Sequence, residues 1–71
     1  MKWIKLYCEK HYLDIKTLKS GKTLILDKEM NKVGEVFEEG NYVTFGDNQI
    51  MAGDLFICMV NNFIPHRRGN Q

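Results

Sequence analysis

Turn-forming residues punctuate this chain so closely that no long element fits between them. Ser20-Gly21, Glu39-Gly40-Asn41, Gly46-Asp47-Asn48 and Ala52-Gly53-Asp54 cut its middle into short apolar runs. Gly, Asn, Asp and Ser supply the backbone conformations and local hydrogen bonds of turns. Runs of roughly four to eight residues between such signals read as strands when they alternate. In "KWIKLYC", Ile4, Leu6 and Cys8 fall on one side and Trp3, Lys5 and Tyr7 on the other, which predicts a strand over residues 2–8. Leu13 and Ile15 alternate with Asp14 and Lys16, and the Ser20-Gly21 turn leads into Thr23 to Leu26, which predicts a hairpin. A short helix over residues 9–19, closed by Gly21, is the competing reading, because Tyr12, Ile15 and Leu18 also recur at helical spacing.

After a polar loop, "VGEVF", "YVTF" and "QIM" continue the pattern of short strands. Gly34 inside the first of these predicts a bulge or a close backbone approach of the kind that curls a sheet. "LFICMV", Leu55 to Val60, is apolar without alternation and is expected as a closing strand buried on both sides. Together these segments predict a mainly β fold, a small antiparallel β-barrel or curled sheet of SH3-like or OB-like kind, with at most one short helical turn. Residues 1–64 form the single domain of this reading and residues 65–71 a flexible basic and polar tail, with Phe63 and Ile64 tucked back onto the barrel.

A domain of 71 residues hides only about 60% of the surface that its unfolded chain exposes, so a metal, a disulfide or a partner subunit would help it. No apolar run approaches the roughly 20 residues of a membrane span. The N-terminus lacks the layout of a secretory signal, so a cytoplasmic setting is expected, and there two cysteines are free thiols or metal ligands. Lysine dominates the bases, with Arg67 and Arg68 the only arginines and Ser20 the only serine, a habit of AT-rich bacterial or phage genomes. The net charge of +1 conceals a split. Residues 1–32 hold eight lysines against four acids, whereas residues 33–64 hold five acids and no base. Cross-strand ion pairs between early lysines and later acids would absorb the split. A dipolar surface that steers a charged partner is the alternative.

The chain's two cysteines and two histidines form two clusters, Cys8 with His11 and Cys58 with His66. Those four residues have the chemistry of a tetrahedral zinc set, provided that the fold joins the two ends. Otherwise both thiols are small core hydrophobes. "SGKT", Ser20 to Thr23, lacks the earlier glycine of a phosphate-binding loop, Lys16 standing in its place, and a hairpin turn accounts for it. A Cys-His pair could activate a thiolate, but no carboxylate pair or phosphate loop accompanies it, so catalysis is not expected.

Binding is the expected task. Trp3, Tyr7 and Tyr12 are the candidate anchors, with Arg67 and Arg68 beside them, for a protein partner or for self-association through a strand edge or the bipolar charged face. The alternative is nucleic acid, since the same aromatics stand among Lys2, Lys5, Lys10 and Lys16 as in single-strand-binding barrels. The acidic central third argues against it.

Overall fold

A computed structural model describes residues 1–66 of the chain. Helix α1 (Lys2–Lys10) is followed by five strands, β1 (Asp14–Thr17), β2 (Thr23–Leu26), β3 (Lys32–Phe37), β4 (Tyr42–Phe45) and β5 (Asn48–Met51), and then by helix α2 (Ala52–Val60). Every strand pairs antiparallel with the next, giving a sheet in the order β1-β2-β3-β4-β5. The fold is mainly β, as expected, but β1 and β5 remain edges and the sheet does not close into a barrel of SH3-like or OB-like type. Two helices take over the task of covering its apolar face. Among the described residues, no helix is long and apolar enough to cross a membrane.

The strands follow from alternation. Ile15 pairs with Ile25, Ile25 with Gly34, Val36 with Val43 and Val43 with Ile50, which lines these residues up across one face. Ile25, Val36, Val43 and Phe45 from that face meet Ile4, Tyr7 and Cys8 of α1, Leu13, and Leu55 of α2 in a single core. Lys16, Leu24, Glu35, Thr44 and Gln49 occupy the opposite face in register. The register slips between Ile25, opposite Gly34, and Leu26, opposite Lys32, so Val33 is the extra residue of a bulge beside Gly34, the glycine at which one was expected. A Cβ there would stand 2.7 Å from the Thr44 carbonyl oxygen and 2.6 Å from the Phe45 ring.

Turn chemistry also matches. Gly21 adopts φ of 97° in the β1–β2 loop, and Gly46 adopts 62° in the two-residue turn between Phe45 and Asn48. In the β2–β3 loop, Asp27 Oδ1 accepts hydrogen bonds from the backbone N–H groups of Glu29 and Asn31, both at 2.9 Å. The β3–β4 connection is less relaxed. A 3-10 turn, Glu38–Gly40, carries two successive non-glycine residues in the left-handed region, Glu38 at φ 49° and Glu39 at φ 57°.

Two segments read as strands are helices. Residues 2–8 form most of α1, whose buried Ile4, Tyr7 and Cys8 follow i, i+3, i+4 spacing. The expected alternation of Ile4, Leu6 and Cys8 fails at Leu6, which is 42% exposed. Leu55 to Val60 lies in α2 rather than in a closing strand, with Asp54 in the first turn, where an acid favours the helix dipole. The helix considered over residues 9–19 does not form, since β1 occupies Asp14–Thr17.

Candidate functional site

The ends of the fold meet at α1. Tyr7 is fully buried on that helix, and its hydroxyl shares a 2.5 Å hydrogen bond with His66 Nδ1 from beyond α2. His11, the residue that caps the C-terminus of α1, sets its ring 4.6 Å from the Tyr7 ring at a tilt of 53° and lies 5.1 Å from the His66 ring. Phe45 of β4 closes the group, 5.7 Å from Tyr7 and 5.9 Å from His66. Pro65 is buried and His66 half-buried, so the first two residues assigned to a flexible tail are packed. Arg67 and Arg68 lie outside the described residues.

The fold therefore joins His11 to His66, as a zinc set would need, but the thiols do not join them. Cys8 is 2% exposed in the core, and burial, reinforced by the Asp14 carboxylate, pushes its pKa from 9.0 to about 11. Cys58 on α2 is half-buried, and its pKa is raised first by burial and then by Asp54. Both are free cysteines held toward the protonated thiol, which is neither the metal-binding nor the nucleophilic form. Among the described residues, no group of three or more His, Cys, Asp or Glu side chains is placed to hold a metal ion. What the geometry assembles is an aromatic and imidazole cluster that fastens the residues after α2 to α1.

The three candidate anchors separate. Tyr7 is interior and cannot touch a partner. Tyr12 is 73% exposed in a left-handed conformation between α1 and β1. Trp3 is half-buried between the helices, with its ring 4.7 Å from that of Phe56 and with Lys2 Nζ 4.9 Å above it. It forms the floor of a groove of about 430 Å³ lined by Leu6, Glu9 and Lys10 of α1 and by Phe56, Met59 and Val60 of α2.

That groove belongs to a wider apolar surface. α2 has one charged residue in nine, and Leu55 is its one buried residue. Phe56, Ile57 and Val60 remain 45%, 53% and 63% exposed. A helix without a polar face belongs in an interior, so an outer side left in water is the largest departure of this fold from ordinary patterning. The sequence reading missed it by treating "LFICMV" as a two-sided strand. Asp54 before the run and Asn61-Asn62 after it were the available helix signals.

Charge does not distribute as cross-strand pairing would have it. The ion pairs among the described residues are Lys28–Asp14 at 3.6 Å, with both side chains largely exposed, and Lys32–Glu35 at 3.0 Å within β3. The register sets Lys16 opposite Leu24 rather than an acid. The one early lysine paired with a later acid among the described residues, Lys32 with Glu35, is thus a neighbour within β3 rather than a cross-strand partner, and Lys2, Lys5 and Lys10 stay exposed on α1.

Comparison with known proteins brings no relative: no protein-family profile matches the chain, and no curated protein or solved structure matches it.

Proposed function

We propose that this chain is a non-enzymatic protein-binding module of the cytoplasm that docks through the outer side of its helix pair. The observation that carries the reading is α2, an apolar helix with Phe56, Ile57 and Val60 about half exposed. Burial of such side chains is worth about 1.5–3 kcal/mol each from full exposure, so half-exposed ones retain a substantial driving force for association. Trp3 and Phe56 at the groove floor are the aromatic anchors, and the alkyl stem of Lys10 extends the wall. Two thiols held in the protonated form support binding rather than nucleophilic chemistry, and their free state suits a reducing compartment. The nucleic-acid alternative is weaker on this geometry, because a stacking platform of Trp3, Tyr7 and Tyr12 would need a buried Tyr7.

A photo-crosslinking residue placed at Ile57 tests the reading, with the same residue at Gln49 on the β5 edge as control. Protein adducts from position 57 and not from position 49 are the expected result. Adducts to nucleic acid, equal labelling from both positions, or none from position 57 would overturn it.

A further inference from the structure

We infer that the protein seated on this face is a second copy of the chain, related by a two-fold axis so that α2 of each copy lies over the α1–α2 groove of the other. The inference rests on the docking reading above and adds the identity of the partner.

Three observations carry it. The first is area. Leu6, Phe56, Ile57 and Val60 are 42%, 45%, 53% and 63% exposed. On the scale of large side-chain surfaces they offer roughly 400 Å² of apolar area per copy. Two copies then bury about 800 Å² from these side chains, which their rims bring to about 1,000 Å², the threshold of a specific interface. A second copy supplies a matching apolar patch of the same size as the other half of that total.

The second is charge. α1 presents Lys2, Lys5 and Lys10 against a single acid, Glu9, whereas α2 carries Asp54 and no base. Setting α1 on its own copy would oppose lysine to lysine. Laying α2 over the partner's α1 brings Asp54 toward those lysines and sends Phe56 and Val60 to Leu6 and Trp3. Unlike charges thus select the crossing, and like charges exclude the alternative register.

The third is clearance. Gly53 stands one turn before Phe56 and Ile57 on the outer side of α2, with nothing within 4 Å of where its Cβ would be. A neighbouring helix can therefore approach the backbone closely. Because each patch faces its own equivalent, the contact closes at two copies.

Sedimentation equilibrium of the purified chain from micromolar to millimolar concentration tests the inference. The expected result is a doubled mass, lost in Ile57→Lys and in Val60→Lys with an unchanged circular dichroism spectrum. Asp54→Lys weakens the dimer by about tenfold, equivalent to about 1.4 kcal/mol, and adding Lys5→Glu restores it. Should the lysine variants not fold, the crosslinker at Ile57 in purified protein gives a covalent dimer if the inference holds and none if it fails. A monomer at millimolar concentration overturns it, as does a dimer that survives both lysine substitutions, which would point to pairing through a strand edge. A monomer that still crosslinks from position 57 to another protein in cells removes the inference and leaves the docking reading standing.

Discussion

In "YCEKHY", Tyr7 to Tyr12, the thiol of Cys8 and the imidazole of His11 acquire different roles once α1 forms. Cys8 lies among Ile4, Leu13 and Ile25 as a core residue, while His11 turns onto the Tyr7 ring and toward His66. The sequence could reveal that a thiol and an imidazole stand close together. It could not reveal that one helical turn would send the first inward and leave the second at the helix end, because residue spacing carries no direction until the element type is known. The two cysteines differ enough to be separated in solution. A thiol reagent at neutral pH should modify Cys58 first and reach Cys8 only on unfolding, as peptide mapping would show. Alkaline titration adds a second reading. Between about pH 9 and 11 the unfolded chain has lost the Cys8 proton while the folded chain keeps it. Stability is therefore full below pH 9 and declines by about 2–3 kcal/mol across that window, at about 1.4 kcal/mol per pH unit. Urea unfolding at a series of pH values should record the decline, and Cys8→Ala should flatten it.

At the level of elements, the β2–β4 region is held by a contact with no room to spare. Gly34→Ala drives a methyl group into the Thr44 carbonyl and the Phe45 ring, and the backbone oxygen cannot rotate aside as a side chain could. A loss of about 1–3 kcal/mol in urea midpoint experiments is expected. The neighbouring turn should respond in the opposite direction. Glu39→Gly relieves a left-handed residue at φ 57° and should raise stability by up to about 1 kcal/mol, measured in the same way. This bulge and the strands at 23–26 and 42–45 were legible in the sequence, because glycines and turns fix their limits and both neighbours repeat the same alternation. The helices were not. Nine residues are short enough for Ile4, Leu6 and Cys8 to fit a strand while Ile4, Tyr7 and Cys8 fit a helix, and only the sheet beneath decides between them. α2 was harder, since a continuous apolar run has no period to read. The same uniformity that concealed the helix is what makes its outer side a candidate site.

For the whole molecule, a thin core and an apolar outer helix face are two sides of one shortage of burial. A chain of this size has little interior to spend on its own, and the surface that α2 withholds from the core would be covered by association. Folding and pairing should then be linked. The thermal midpoint should rise with protein concentration, whereas that of Val60→Lys should not, as calorimetry over a wide concentration range would show. The strand order has a different consequence, for the time course of folding. With every strand paired to its sequence neighbour, the sheet is built from local closures, the kind that form early and fast. The contact of Trp3 with Phe56 and that of Tyr7 with His66 instead join the two ends of the described chain. Such distant contacts require the longest loop to close, and they become worthwhile only on a sheet that already exists. The helix pair is thus the last part to assemble, so its outer surface completes only when folding does, and a meander still incomplete presents nothing for a partner to hold.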